Sequence, residues 1–150
     1  MLEVVPHVDL EKYLGKWYRI AHLPAKFQEG CNETTATHSL LKDGGASVLN
    51  TCQRNGKVKT AKGKAKVVDK ATGAKLKVTF FWPFYGDYWI IKLGMDYEYA
   101  VVGTPDLKYL WILSRTPRID GKLFAELKEF AKLKGFDTER LIVTEQTSES

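Results

Sequence analysis

The chain has 150 residues, 44% of them hydrophobic, which suits a single domain spanning residues 1–150 with a sizeable core. Its formal net charge of +5 favours contact with anionic surfaces without demanding a nucleic-acid partner. No apolar run approaches the ~18 residues of a membrane-spanning helix, and Met1 to Leu10 show neither the basic nor the apolar region of a secretory leader.

Taken in chain order, a short turn at Leu10 to Leu14 leads into a first strand, Lys16 to Leu23. Pro24 to Asn32 is a longer loop. Alternating runs then flank turn signals. Glu33 to Leu41 and Ala46 to Gln53 flank Lys42-Asp43-Gly44-Gly45, a strong hairpin signal. Lys57 to Val68 and Ala74 to Phe81 flank Asp69 to Gly73. Tyr88 to Leu93 and Tyr97 to Gly103 flank Gly94-Met95-Asp96, and Lys108 to Arg115 follows Thr104-Pro105-Asp106. Eight strands in an up-and-down meander close naturally into an antiparallel β-barrel, which removes exposed edges. One α-helix follows: Asp120 is its N-cap, Leu123, Phe124, Leu127, Phe130 and Ala131 form its apolar stripe, and Gly135 suits its end. Leu141 to Thr144 is a short last strand. Tyr109 to Leu113 is apolar on both faces, as needed if one face meets the barrel interior and the other the helix.

Hairpin pairing keeps opposed residues on one face. With Leu41 opposite Ser47, residues Ala36, His38 and Leu40 share a face with Val48, Asn50 and Cys52. With Gly103 opposite Lys108, residues Ala100 and Val102 share a face with Tyr109, Trp111 and Leu113. Lys62, Lys64, Lys66, Lys75 and Lys77 alternate with Gly63, Ala65, Val67, Leu76, Val78 and Phe80, so the second set faces inward. That inward set mixes small residues with apolar ones. An eight-stranded barrel is wide enough to hold one small ligand when its interior is not filled, and an apolar cavity for an elongated ligand is the expectation.

Catalytic signals are weak. His7, His22 and His38 have no second ligand at metal spacing, and no cofactor is expected; His38 and Asn50 are candidates for a ligand's polar group. No G-x-S-x-G elbow is present, and no enzyme is expected; Cys52, inward by parity, is the one candidate nucleophile. Cys31 and Cys52 leave two readings open, one disulfide in an oxidising compartment or two partly buried thiols. Simple register places Cys31 nearer Lys57. The series Lys57, Lys59, Lys62, Lys64, Lys66, Lys70, Lys75 and Lys77 reads as a solvated barrel face, with attraction to an anionic membrane surface as its functional alternative. It lacks the interleaved aromatic residues of a nucleic-acid platform. Asn32-Glu33-Thr34 is a glycosylation sequon.

Three separated blocks resemble the lipocalins: Gly15-x-Trp17-Tyr18, Met95-Asp96-Tyr97 (Met standing where Thr is usual) and Arg115 in Leu113-Ser114-Arg115-Thr116-Pro117. Gly15 to Ala21, Phe84 to Trp89 and Tyr109 to Pro117 are most similar to the bacterial lipocalins, and also to plant temperature-induced lipocalins and apolipoprotein D. The resemblance implies an all-β, eight-stranded lipocalin barrel with the helix packed outside. It implies binding and transport or storage of a fatty acid or lysophospholipid, by a monomer or homodimer. In a bacterium the place implied is the periplasm or outer membrane, and otherwise secretion. Gly15, Trp17, Asp96, Tyr97 and Arg115 then meet at one end as a structural plug, with Arg115 over the face of Trp17. The other end is the mouth, with Phe27, Trp82, Phe84 and Tyr85. The chain of the ligand would lie among Ala36, Leu40, Val48, Val78, Phe80, Ile90, Ala100, Val102 and Trp111, with His38, Asn50 and Tyr88 as polar contacts.

Overall fold

The computed structural model describes residues 2–24, 32–40, 46–54, 57–81 and 84–143, with the backbone alone described for 32–36, His38, Leu40, 52–54, Lys59, Ala61, 80–81 and 84–85. A one-turn helix α1 (Leu10–Tyr13) is capped by Asp9, whose side chain accepts from the Glu11 amide. The strands are β1 (Gly15–His22), β2 (Asn32–Leu40), β3 (Ala46–Arg54), β4 (Lys57–Val67), β5 (Lys75–Phe81), β6 (Phe84–Leu93), β7 (Tyr99–Gly103) and β8 (Leu110–Ser114). Each pairs antiparallel with the next. β1 pairs with both β2 and β8 and so closes the barrel. Helix α2 (Gly121–Leu133), a 3-10 turn at Thr138–Arg140 and a two-residue strand β9 (Ile142–Val143) follow. β2 uses the β1 edge from Gly15 to Tyr18, and β9 pairs with Ala21 and His22 on the same strand.

Two apolar layers flank the β7–β8–β1 wall. Inside are Trp17, Val48, Ala65, Leu76, Ile90, Ala100, Val102 and Leu113 with their neighbours. Outside, Ile20, Ile91, Val101, Leu110 and Ile112 pack with Leu127, Ala131 and Phe136. The predicted helical stripe supplies the outer layer, with Leu127 and Ala131 fully buried. α2 ends in a Schellman motif: Gly135 takes φ +104, its amide donates to Lys132 O, and the Phe136 amide donates to Ala131 O. Phe136 then lies against Gly103, where a Cβ would come within 2.6 Å of the ring.

Several sequence expectations need correction. Leu40, not Leu41, begins the ladder, opposite Ala46, so Ala36 faces Asn50 and His38 faces Val48. Val102 faces Trp111 and Ala100 faces Leu113. Both registers differ by two residues from the predicted ones; a two-residue slip preserves the face, so the inward sets keep their parity. β6 begins at Phe84 rather than Tyr88 because Phe81 pairs with Phe84 and Gly86 is accommodated opposite Val78. Phe84 and Tyr85 are therefore strand residues and not part of a mouth loop. Tyr97 does not open a strand; it sits at φ 57 in the turn before β7. Asn32 pairs with Gln53, and Gln53 in turn with Val58. Lys57 and Lys59 pair with Arg54 and Cys52 in an unbroken ladder in which Val48 pairs with Gly63. Their parity is thus that of the inward set, unlike Lys62, Lys64 and Lys66. Phe27, Cys31, Trp82 and the Lys42–Gly45 turn lie outside the described residues.

Candidate functional site

One end of the barrel is sealed by a network centred on Arg115. Its Nε donates to Tyr97 O at 3.2 Å, Nη1 to Lys16 O at 3.0 Å, and Nη2 to Lys12 O and Tyr13 O at 2.8 and 3.1 Å. The guanidinium carbon lies 3.8 Å from the Trp17 ring centroid. A planar fork of donors is the one side chain able to tie three chain segments while covering an aromatic face. Trp17 is fully buried, and its Nε1 donates to Tyr13 O at 2.8 Å. Gly15 takes φ +102 beside this fork, where a Cβ would lie 3.4 Å from Arg115 Nη1. Tyr97 Oη accepts from the Asp9 amide at 2.8 Å. Asp96 and Met95 are exposed at that turn, which explains why a Met is tolerated at the first position of the block. Burial lowers the Arg115 pKa from its ordinary value, opposed by Tyr13 and Tyr88.

Above this floor much of the interior is apolar. Val48, Ile90, Ala100 and Val102 are buried in one cluster, and Val78, Tyr88 and Trp111 pack against it. The structure thus brings together seven of the twelve residues expected to contact a ligand. Ala46 and Ala65 face one another across β3 and β4, and Val48 faces Gly63, so one wall is made of small side chains. Asn50 is half-buried opposite Ala61. Ala36, His38, Leu40 and Phe80 are located by their strands alone. The hydroxyl of Tyr88 is engaged with that of Tyr13 at 2.5 Å. It thereby joins the floor's hydrogen-bond network. Burial is the main cause raising both tyrosine pKa values above the ordinary range.

Two interior residues were not singled out from sequence. Arg19 pairs with Leu113 and His22 with Trp111, and the register slips between Arg19 and Ala21. Since Leu113 and Trp111 belong to the interior, Arg19 and His22 share their face. Counting by twos from Trp17 places Arg19 inward. The same count places His22 outward, and only the bulge reverses it. Burial brings Arg19 down to about 10; burial and the nearby Arg19 charge bring His22 down to about 4, so His22 is neutral at pH 7.

The lysine series divides. Lys62, Lys64, Lys66 and Lys70 are exposed. Lys77 pairs with Asp87 at 2.6 Å, and Lys75 Nζ lies 4.4 Å from the Trp89 ring centroid. Among the described residues no three His, Cys, Asp or Glu side chains gather as a metal site, and no helix is long and apolar enough to cross a membrane.

Comparison with known proteins agrees with this geometry. A family model described as a lipocalin-like domain matches residues 8–146. Outer membrane lipoprotein Blc of Vibrio cholerae is 43% identical over 145 residues, covering 95% of this chain and 85% of that protein. Temperature-induced lipocalin-1 of Arabidopsis thaliana is 39% identical over 155 residues, covering 97% and 83%. Among solved structures, insecticyanin of the tobacco hornworm Manduca sexta superposes with a TM-score of 0.78 at 23% identity, over 97% of this chain and 84% of that one. The Gly15–Trp17 block, the Tyr97 turn and Arg115 close one end of an eight-stranded barrel, and the family match runs through all three: the chain belongs to the lipocalins.

Proposed function

We propose that this protein is a non-enzymatic carrier that binds one elongated hydrophobic molecule, a fatty acid or lysophospholipid, inside the barrel for transport or storage. The observation that carries this reading is the interior itself. A closed ring of strands with a sealed floor surrounds an apolar lining in which small side chains (Ala46, Gly63, Ala65 and Ala100) alternate with Val48, Val78, Ile90 and Val102. Lipocalins as a family bind small hydrophobic ligands, and this lining suits an alkyl chain. The chain lies among Ala36, Leu40, Val48, Val78, Phe80, Ile90, Ala100, Val102 and Trp111, with Asn50 and His38 within the same wall. The names of the bacterial relatives support a place at the outer membrane or periplasm if the source is bacterial, and secretion otherwise. The exposed lysines Lys62, Lys64 and Lys66 favour approach to an anionic membrane surface.

Native mass spectrometry of the purified protein, before and after incubation with fatty acids, tests the reading. A one-to-one adduct of a lipid mass is the expected result. A protein that stays bare under both conditions contradicts it.

A further inference from the structure

The bulge in β1 turns Ile20 and Ala21 to the outer layer and returns His22 to the interior, paired with Trp111. The row continues through Val102 of β7 to Ile90 of β6, both fully buried and apolar. His22 stands two inward positions above Trp17, on the side away from the sealed floor. It is only 4% exposed, and its Nδ1 is buried and makes no hydrogen bond among the described residues. A buried polar atom left in this state costs stability. On the inner wall of a carrier it is placed to meet a guest.

We infer that His22 Nδ1 is an interior hydrogen-bonding position for an uncharged hydroxyl at the head of the bound amphiphile, the free glycerol hydroxyl of a singly acylated glycerolipid. The inference rests on the carrier reading and specifies the ligand's polar group, which sets such a lipid above a fatty acid. Burial and the nearby Arg19 charge keep the imidazole neutral at pH 7. A nitrogen of a neutral imidazole is either an N–H donor or a bare acceptor. A hydroxyl both donates and accepts, so it pairs with either tautomer, whereas a carboxylate only accepts. A hydroxyl also leaves water at far lower cost than an anion. With the acyl chain running down among Val48, Ile90 and Val102 toward Trp17, the head lies level with His22.

Displacement of a fluorescent fatty acid from the delipidated protein tests this with two matched pairs. They are 1-dodecanoylglycerol against propyl dodecanoate, and 1-dodecanoyl lysophosphatidylcholine against its 2-deoxy analogue, with dodecanoate as reference. In at least one pair the hydroxyl member should bind about three- to tenfold tighter, the scale of one neutral hydrogen bond. The pair with the larger ratio identifies the head. In His22→Phe that ratio should fall below about twofold while the hydroxyl-free member binds as before. His22→Asn, whose amide falls near the place of Nδ1, should keep most of the ratio. A purely structural role for His22 would move both members of a pair together. In nitrogen NMR of the native protein, the His22 Nδ1 resonance should shift with the hydroxyl member and not with its hydroxyl-free match. Equal binding within both pairs by the native protein overturns the hydroxyl position and leaves the carrier reading standing. So does a ratio that survives in His22→Phe, or a His22 resonance that both members move alike. Failure of every compound to bind, dodecanoate and the fluorescent fatty acid included, overturns both readings. The measurements on the native protein need no variant, so a poorly folding substitution does not remove the test.

Discussion

Arg115 illustrates how much a single side chain can organise. Its four donor contacts reach carbonyls of Lys12, Tyr13, Lys16 and Tyr97, segments up to 103 residues apart in sequence. Replacing it frees those carbonyls and uncovers Trp17. Arg115→Met is therefore expected to lower unfolding stability by about 2–4 kcal/mol in urea titration, and Arg115→Lys by a large part of that, because an ammonium cannot span the same acceptors. A loss under about 0.5 kcal/mol would show that the floor is held by something else. Gly15, at φ +102, should cost about 1 kcal/mol or more on change to Ala. His22 gives a pH signature. Its pKa is about 4 in the folded protein against 6.5 ordinarily, so the unfolded chain binds more protons between those values. Stability should then fall as pH drops from about 6.5 to about 4, by on the order of 2 kcal/mol from this residue. His22→Gln should flatten that part of the stability–pH curve; an unchanged slope would mean that His22 is not buried as described. At this scale the motif residues were legible because their types are rare in that order. Arg19 was legible by period alone, and His22 was not.

Elements were legible in number and order, and in facing outside the start of β4 and the end of β1, but less so in register. Turn chemistry marked each hairpin, yet hairpin loops of different length give the same inward set when they differ by two residues. The ladder therefore shifted between β2 and β3 and between β7 and β8 by an even number of residues, which keeps the parity of the paired positions. The β6 start was hidden because Gly86 and Pro83 look like breakers, whereas Gly86 is simply paired with Val78. Bulges leave no local mark in composition, which is why the one in β1 was missed. Helix α2 was the most legible element, having a cap, a stripe and a terminal glycine. It serves the outer layer, and this separates stability from binding. Leu127 is fully buried there, so Leu127→Ala should cost about 2–4 kcal/mol while the folded variant keeps its fatty-acid affinity within about twofold. A tenfold loss of affinity in a folded Leu127→Ala protein would mean that the two layers are coupled across the sheet.

At the level of the molecule, a barrel closed by β1 pairing on both sides leaves an interior that only side chains or a guest can occupy. The choice of barrel and its closed end followed from the strand pattern and the three motif blocks. What the interior holds depends on volumes summed over many residues, which a pattern of parity does not supply. Filling that volume should separate binding from folding. Ala65 lies between Ala46 and Val78 on the inner face, and Ala65→Phe should weaken binding of long acyl chains at least tenfold while costing no more than the ~1–3 kcal/mol of an added core side chain. The most direct measurement is the affinity of the native protein for a series of saturated fatty acids from about eight to about eighteen carbons. Each added methylene should tighten binding by about fourfold, the equivalent of ~0.8 kcal/mol, up to a length beyond which the gain stops because the interior is full. Affinities that are absent, or the same at every chain length, would contradict a barrel that carries an acyl chain.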